Sequence, residues 1–372
     1  MEKVLQISKY YYPEVGGIEK IAEAISDSIV DKYEVKVVCF TRDEMDRVDF
    51  VNNIEVFKFG TKLKIASQPV SLGIIKALKR LLKEYKPDYV ILHEPNPYLA
   101  FFTLRYIEDT TKLIVYWHSD IIKQRMGERL LRTFYHKELR RADRVVATSP
   151  NYIDGSMYLS SVKDKCVVIP NCINEEQLQI TEESHALALQ IRDKYKDKII
   201  CVGIGRVVPY KGFEYLAKVA QLLDDRYVFF ISGRPGESTP ILSKMTENMH
   251  NFVLLGETTD AEQKAYLEAA DIFVFPSITK NEAFGIALAE GMYFGKPAVT
   301  FTIQGSGVNY VNINGETGIE VENKNIDLYA NALLLLANEL ELRNRMGNNA
   351  RRRVENHFLY ESFRKNIIEL LE

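Results

Sequence analysis

The sequence contains no apolar run long enough to cross a bilayer and no secretory leader at its amino end. No segment reaches the ~18 consecutive apolar residues that a membrane-spanning helix needs. The chain begins MEKVLQIS, which enters a strand-like run at once and lacks the positive stretch and long apolar core of a signal peptide. These absences predict a cytoplasmic protein.

Cysteine is scarce, and several motifs that hold metals or nucleotides are missing. The four cysteines, Cys39, Cys166, Cys172 and Cys201, form no C-x-x-C pair, so we expect buried free thiols rather than disulfides. The Walker A spacing is absent, which disfavours a P-loop nucleotidase. No D-x-D triad is present to hold a catalytic metal ion.

The net charge of −3 conceals two basic clusters in the first half of the chain. A basic face interleaved with large apolar side chains suits an anionic membrane surface or a polyanionic substrate. The alternative is an ordinary solvated helix face. The cations are Lys58, Lys62, Lys64, Lys76, Lys79, Arg80, Lys83 and Lys86 in the first cluster, and Lys123, Arg125, Arg129, Arg132, Lys137, Arg140, Arg141 and Arg144 in the second.

Short apolar runs of strand length alternate with helix-compatible segments in two separate series. Continuous apolar runs predict strands that are buried on both faces of parallel sheets. The runs are Val4–Ser8, Val35–Phe40, Tyr89–Leu92, Leu113–Trp117, Val145–Thr148 and Val167–Asn171 in the first series, and Ile199–Ile204, Tyr227–Ser232, Phe252–Leu255, Ile272–Pro276 and Ala298–Phe301 in the second.

This alternation predicts an α/β fold of two facing Rossmann-like domains with a cleft between them. The first domain is expected over residues 1–172 and the second over 199–355, joined by a polar, helix-prone linker at 173–198. Ligands of such sheets bind at the carboxyl ends of the strands, so the loops there are the candidate site.

Two loops of the first domain carry candidate residues. Gly16 and Gly17 precede a predicted helix, where paired glycines let backbone N–H groups approach an anion closely. A tight turn is the alternative for this pair. His118 follows the strand Leu113–Trp117, and its place at a strand's carboxyl end, on the cleft side, favours a functional histidine over a satisfied core residue.

Two loops of the second domain carry charged residues. Arg206 and Lys211 are five residues apart across a Pro/Gly turn, so both side chains are expected to point into one space. Two fixed cations suit a diphosphate leaving group, whose charge builds as the donor bond breaks. Surface cations at a helix start are the alternative, which the helix dipole disfavours.

The other loop is Glu282-Ala-Phe-Gly-Ile-Ala-Leu-Ala-Glu290. The N–H groups of Phe284, Gly285 and Ile286 would meet an anion at the start of a helix. Glu290 lies six residues past Phe284, which is ~9 Å along that helix. The two carboxylates are therefore expected to bind two separate sets of hydroxyls on one extended ligand.

Taken together, these motifs resemble the retaining glycosyltransferases of family 4, which have the GT-B fold. The resemblance spans nearly the whole chain, in order, at Gly16-Gly17, His118, Arg206 with Lys211, and Glu282-x₇-Glu290. The phrases beginning at Gly16, His118 and Glu282 look closest to α-mannosyltransferases of polysaccharide and lipopolysaccharide synthesis. That branch uses GDP-mannose and a polyprenyl-diphosphate-linked acceptor. The sequence departs from it at Ile169-Pro-Asn-Cys172, where the branch has Ile-Pro-x-Gly.

The resemblance implies a role for each residue. Arg206 and Lys211 would neutralise the donor diphosphate, Glu282 would bind sugar hydroxyls, and Glu290 would bind the ribose. His118 would lie near the anomeric carbon and primary hydroxyl of the sugar. The amides of Gly17, Phe284 and Gly285 would contact phosphate or sugar oxygens, and the base would rest near Arg234 and Glu257. The candidate catalytic residues are thus His118, Glu282, Arg206 and Lys211.

The resemblance also implies a mechanism and partners. The expected reaction is same-face attack through an oxocarbenium-like state, with the departing phosphate taking the acceptor's proton. The Arg206 and Lys211 cations would replace a metal, so no metal ion or other cofactor is expected. The first domain would bind the lipid-linked glycan acceptor, and the helix in 356–372 would pack back on it. The expected partners are a nucleotide-diphosphate sugar, that acceptor and the anionic cytoplasmic leaflet of the membrane, with peripheral attachment and no nucleic acid.

Three alternatives remain open from the sequence. One is a transferase of the same family that uses a UDP-linked glucose, galactose or N-acetylhexosamine. Another is a nucleotide-sugar epimerase or hydrolase, which would need no lipid acceptor. The last is a non-catalytic nucleotide-sugar-binding protein, which the retained charges of Arg206, Lys211, Glu282 and Glu290 disfavour.

Overall fold

The computed structural model describes residues 1–14, 16–61, 63–65, 68–120 and 128–372. The chain forms two compact units. Unit 1 comprises Met1–Asn171 and Tyr360–Glu372, and unit 2 comprises Cys172–Leu359. Each unit contains a parallel sheet with helices, so the predicted α/β class with two Rossmann-like sheets is confirmed.

Unit 1 is built on an eight-stranded sheet of order β10-β9-β8-β7-β1-β2-β4-β3, in which β3 alone of these eight strands runs antiparallel to its neighbour. The central strands β1, β7 and β8 are continuous apolar runs and are buried almost throughout, as expected for strands covered on both faces. A small hairpin, β5-β6, lies apart from the sheet. The strands are β1 Lys3–Ile7, β2 Glu34–Thr41, β3 Arg47–Val51, β4 Ile54–Gly60, β5 Leu63–Ile65, β6 Gln68–Val70, β7 Tyr89–Glu94, β8 Lys112–Trp117, β9 Arg144–Ala147 and β10 Cys166–Val168.

The helices of unit 1 include one from the far end of the chain. They are α1 Gly17–Ile29, α2 Leu72–Arg80 with a π-helical turn at Leu81–Tyr85, α3 Pro97–Tyr106, α4 Glu128–Arg141, α5 Pro150–Gly155 and α14 Tyr360–Leu371. Helix α14 packs against α1, and the Tyr89 hydroxyl donates to the carbonyl of Leu371 at 2.6 Å. In the described part of the chain, no helix is both long and apolar enough to cross a membrane.

Unit 2 is built on a six-stranded sheet of order β13-β12-β11-β14-β15-β16, in which all five neighbouring pairs of strands are parallel. The order places β11 beside β14, so the loops that follow these two strands lie side by side. The strands are β11 Ile199–Ile204, β12 Tyr227–Ser232, β13 Phe252–Gly256, β14 Ile272–Phe275, β15 Ala298–Phe301 and β16 Gly318–Val321. The helices are α6 Glu182–Lys194, α7 Phe213–Leu222, α8 Thr239–Thr246, α9 Asp260–Ala269, α10 Ile286–Tyr293, α11 Val308–Val311, α12 Ile326–Asn338 and α13 Leu340–His357.

The segment 173–198 differs from the expected linker, because it is part of unit 2. Helix α6 begins with a capping box between Thr181 and Ser184 and packs against α9. Arg192 on α6 donates two hydrogen bonds, each 2.9 Å, to the carboxylate of Asp271. The segment is polar in composition because helix α6 buries only one edge and exposes the rest of its surface.

The basic cluster at 58–86 is also not the single face that the sequence suggested. Lys58 lies on β4 and its side chain is only 2% exposed. Its ammonium donates to the carbonyl of Tyr12 at 2.6 Å and pairs with Asp49 at 2.7 Å. Lys58 is therefore a structural cation. By contrast, Lys76, Lys79 and Arg80 on α2 are exposed.

Candidate functional site

The loops after β11 and β14 are joined in unit 2 by an ion pair between Lys211 and Glu282. The ammonium of Lys211 contacts Oε2 of Glu282, and both side chains are nearly nine-tenths buried. Ser277 donates from its hydroxyl to the same carboxylate oxygen at 3.1 Å. The Lys211 Nζ also lies 4.8 Å from the centre of the Phe275 ring. Two residues that the sequence placed in one site thus contact each other.

A close approach of the two loops makes this pairing possible. Gly212 follows Lys211 and begins α7 with φ of 69°, in the left-handed region that glycine tolerates best. A Cβ atom built there would lie 2.1 Å from the carbonyl oxygen of Pro276. Any side chain at position 212 would therefore force apart the loops that carry Lys211 and Glu282.

Helix α10 presents unused N–H groups beside Glu282. Gly285 caps this helix with φ of 98°. Among the described residues, no acceptor is found for the N–H groups of Phe284, Gly285 and Ile286. Free N–H groups at the start of a helix bind anions, so this end of unit 2 can hold a phosphate or the oxygens of a sugar.

Buried contacts fix the backbone of the Glu282 loop. The Ser306 hydroxyl donates to the carbonyl of Glu282, and the Gly307 N–H donates to that of Ala283 at 3.0 Å. Phe284 is 2% exposed, and its ring meets that of Phe358 edge to face at 5.3 Å. Sequence reasoning missed Ser277, Ser306 and Gly307, because no motif marks them.

The other predicted residues of unit 2 are more scattered. Arg206 shares a loop with Lys211 but is exposed, and within the described ranges its guanidinium makes no ion pair or hydrogen bond. Arg234 pairs with Glu257 at 2.7 Å on the surface, which joins the loops after β12 and β13. Glu290 lies half-buried on α10.

In unit 1, Gly16 and Gly17 begin α1 as the sequence predicted, and a carboxylate stands beside them. A Cβ atom at Gly16 would lie 2.2 Å from Oε2 of Glu19. Burial raises the pKa of the Glu19 carboxyl. A side chain at position 16 would displace the carboxylate of Glu19.

His118 follows β8 and is almost fully buried, with 6% of its surface exposed. Its Nε2 lies 2.8 Å from Nδ1 of His93, the fifth residue of β7. Burial lowers the pKa of His118 to about 3, and it lowers the pKa of His93 well below its usual value. Both imidazoles are therefore neutral at neutral pH, and His118 does not act as a cation.

A second buried cluster, which the sequence did not indicate, adjoins this one. Glu94 follows His93 on β7, and it interacts with Glu138 and Tyr135 of α4. Burial raises the pKa of Glu94 to about 8, and burial together with the neighbouring Glu94 carboxyl holds the pKa of Glu138 well above its usual range. The residues of this cluster come from separate elements, β7 and α4, with no motif between them.

No three His, Cys, Asp or Glu side chains in the described ranges cluster as ligands of a metal ion would. The prediction that no metal is required stays a prediction. In the second basic cluster, residues 121–127 lie outside the described residues. Arg141 of that cluster donates to the carbonyls of Glu108 and Thr111, so it serves the fold rather than a free surface.

The chain matches the folds of solved GT-B glycosyltransferases over nearly its full length. Sucrose-phosphate synthase from Thermosynechococcus elongatus superposes with a TM-score of 0.82, at 17% identity, over 100% of this chain and 98% of that one. WaaG, a glycosyltransferase involved in lipopolysaccharide biosynthesis, superposes with a TM-score of 0.71 at 15% identity, over 98% of each chain. The protein therefore has the GT-B class of fold.

Sequence comparison identifies the family. Residues 15–177 match Glycosyltransferase Family 4, and residues 187–353 match Glycosyl transferases group 1. O-antigen chain mannosyltransferase C of Escherichia coli is 31% identical over 360 residues, 96% of this chain and 94% of the relative. D-rhamnosyltransferase WbpZ of Pseudomonas aeruginosa is 30% identical over 367 residues, 96% of this chain and 92% of the relative. The chain belongs to the family 4 glycosyltransferases, as its motifs predicted.

Proposed function

We propose that this protein is a retaining, metal-independent mannosyltransferase that uses GDP-mannose and extends a polyprenyl-diphosphate-linked or lipopolysaccharide glycan. The observation that carries the proposal is the contact of Lys211 with Glu282 beside the unused N–H groups of α10. A cation and free N–H groups suit a diphosphate, and a carboxylate suits sugar hydroxyls. The relative named O-antigen chain mannosyltransferase C supports the choice of mannose.

In the proposed reaction, a hydroxyl oxygen of the acceptor forms a bond to the anomeric carbon as the bond from that carbon to the diphosphate breaks. The hydroxyl proton passes to the departing phosphate on the same face, so the anomeric configuration is kept. Lys211, Arg206 and the α10 N–H groups stabilise the growing negative charge. Glu282 orients the sugar through its hydroxyls rather than attacking it, because its carboxylate is already held by Lys211 and Ser277.

For the acceptor, we propose that unit 1 lies against an anionic membrane surface through helices α2, α3 and α4. Helix α3 packs against both α2 and α4. Their exposed side chains combine apolar Leu72 and Phe101, which are 75% and 54% exposed, with Lys76, Lys79 and Arg132. This mixture suits lipid headgroups with an apolar layer beneath them.

A D-rhamnosyl donor is the second candidate, because one relative of nearly equal identity is named a D-rhamnosyltransferase. The sugar pocket rather than the diphosphate site would distinguish the two. Purified protein should be tested for thermal stabilisation by GDP, UDP, GDP-mannose and nucleotide-linked D-rhamnose. A ligand that binds only the folded state adds ~2.7 kcal/mol of stability at a hundredfold excess over its Kd. Stabilisation by GDP and GDP-mannose supports the proposal, and stabilisation by UDP alone overturns the donor assignment.

A further inference from the structure

A line of buried hydrogen bonds runs through unit 1 from helix α1 to His118. It starts at Gln6 on β1, whose amide nitrogen donates to the carbonyl of Ala22 at 3.0 Å and to the hydroxyl of Ser26 at 2.5 Å. The amide oxygen of Gln6 lies 2.5 Å from Nε2 of His93, and Nδ1 of His93 lies 2.8 Å from Nε2 of His118. All three of Gln6, His93 and His118 are buried.

The directions of these bonds are fixed from the helix end. A backbone carbonyl only accepts, so the carbonyl of Ala22 requires the nitrogen of Gln6 to face α1 and the oxygen to face His93. An amide oxygen also only accepts, so Nε2 of His93 must carry a proton. A neutral imidazole has one protonated nitrogen, which leaves Nδ1 of His93 as an acceptor.

The tautomer of His118 is constrained in turn by His93. Because Nδ1 of His93 accepts, Nε2 of His118 must carry the proton, and Nδ1 of His118 keeps its lone pair. The two imidazole planes are only 14° apart with centroids 5.2 Å apart. That separation matches the 2.8 Å nitrogen distance plus the two ring radii, so the rings meet edge to edge as an in-plane hydrogen bond requires.

We propose that His93 and Gln6 are positioning residues that hold His118 as the Nε2–H tautomer, so that Nδ1 of His118 is an acceptor for a hydroxyl of the donor sugar. Only the last part rests on the proposed function. Among the described residues, Nδ1 of His118 has no hydrogen-bond partner, which leaves its lone pair for a ligand. In this tautomer, His118 at Nδ1 accepts a hydrogen bond and donates none.

The test reads the tautomer directly and needs no substrate. The protein is labelled with ¹⁵N-histidine, and the six imidazoles are assigned by single substitutions. In the wild type, His118 is expected to show a protonated-type Nε2 signal and an unprotonated-type Nδ1 signal. His93→Asn keeps an acceptor oxygen near the position of Nδ1 and should preserve this pattern. His93→Phe removes the acceptor and should give a mixture of tautomers.

Two further variants keep the test decisive. Gln6→Met removes the amide oxygen that accepts from Nε2 of His93, and it does so without changing either histidine. It should therefore also give a mixture of His118 tautomers, and it provides the test if His93→Phe fails to fold. His136→Asn alters a histidine outside the line and should leave the His118 signals unchanged. A wild-type His118 protonated at Nδ1 would overturn the proposal, as would an unchanged Nε2–H pattern in both His93→Phe and Gln6→Met.

Kinetics then separate this proposal from the proposed function. With GDP-mannose as donor, His93→Phe should lower kcat/KM by about tenfold, the loss expected for one misdirected hydrogen bond, and His93→Asn by less. Equal activity of His93→Phe and the wild type would contradict a positioning role. Absence of transfer by the wild type would count against the donor assignment, while the ¹⁵N spectra would still decide the tautomer.

Discussion

Lys211 and Glu282 are 71 positions apart in the sequence, and their side chains form a mostly buried ion pair. The pair forms because β11 and β14 are neighbours in the sheet of unit 2, although two strands separate them along the chain. The position of each charge is therefore set by the other. A site built in this way is organised before any ligand arrives, which favours electrostatic catalysis.

The first prediction concerns the stability of this pair. Lys211→Met and Glu282→Gln should each destabilise the protein by about 3 kcal/mol, because each leaves a buried partner unpaired. The double variant should lose less than the sum of the two. Urea unfolding followed by circular dichroism measures these differences. The matched control is Arg351→Met, which breaks an exposed helix pair with Glu355 and should change stability by about 0.5 kcal/mol or less. Strict additivity of the two site variants would show that the pair is not coupled.

The second prediction concerns Gly307, which supports the Glu282 loop. A Cβ atom there would lie 2.1 Å from the carbonyl oxygen of Ala283 and 3.1 Å from Cα of Phe284. We expect Gly307→Ala to displace this loop and to weaken GDP binding at least tenfold, as measured by isothermal titration calorimetry. Gly315→Ala is the control, since its Cβ would meet nothing within 4 Å and only its φ of 78° is unfavourable. Equal GDP affinity in the two variants would show that Gly307 does not support the binding site.

The third prediction concerns the pH dependence of unit 1. Folding raises the pKa of Glu94 to about 8 and raises that of Glu138, so the folded state binds more protons than the unfolded state above pH ~4.5. The stabilisation that this pair contributes to the folded state is fully present below pH ~4.5, and it is lost as the pH rises towards 8. The loss is roughly 1.4 kcal/mol per pH unit for each extra proton bound. Glu138→Gln should reduce this slope, and the double variant with Glu94→Gln should reduce it further.

The single tryptophan makes this measurement specific to unit 1. Trp117 is fully buried, and its ring centre lies 5.2 Å from that of Tyr135 in the same cluster. Its fluorescence should follow urea unfolding of unit 1 between pH 5 and 8.5. Glu84→Gln, at an exposed position, is the control and should keep the wild-type slope. A wild-type slope in the double variant would mean that the two carboxyls do not take up protons on folding.

The fourth prediction concerns membrane attachment. Lys76→Glu, Lys79→Glu and Arg132→Glu together should strongly reduce sedimentation with vesicles that contain phosphatidylglycerol, because each cation near an anionic surface contributes ~1 kcal/mol. Added salt should weaken wild-type binding in the same way. The control has the same charge change on unit 2, at exposed Lys218, Lys244 and Arg345. Equal binding of the two triple variants would exclude α2 and α4 as the attachment surface.

The sequence predicts the central strands of both sheets well, and it marks the edge strand β3 and the extent of unit 2 poorly. Ile199–Ile204, Tyr227–Ser232 and Ala298–Phe301 are strands with the predicted bounds, because a fully buried parallel strand reads as an unbroken apolar run. Strand β3, Arg47–Val51, alternates between half-buried and exposed residues at the sheet edge, so no apolar run marks it. The helix-prone segment 173–198 has the polar composition of a linker although it belongs to unit 2, because helix α6 buries only a narrow edge.

The candidate site shows the same division. Each of Lys211, Glu282 and His118 stands out locally, as a charge or an imidazole at the end of a predicted strand. The contacts that these side chains make do not stand out in the sequence. The pairing of Lys211 with Glu282 depends on strand order, and the bond of His118 to His93 depends on the register of β7 and β8. Strand order and register arise from packing over the whole unit, which no short motif encodes.

We propose that this chain transfers mannose from GDP-mannose to a lipid-linked glycan. The most direct test incubates the wild type and Glu282→Gln with GDP-[¹⁴C]mannose and membranes that carry polyprenyl-diphosphate-linked glycans, and then counts the label in the lipid extract. We predict label in the lipid fraction with the wild type and at least a hundredfold less with Glu282→Gln, a difference of about 2.7 kcal/mol in barrier height. Transfer from a UDP-sugar but not from GDP-mannose, or equal transfer by both proteins, would contradict this proposal.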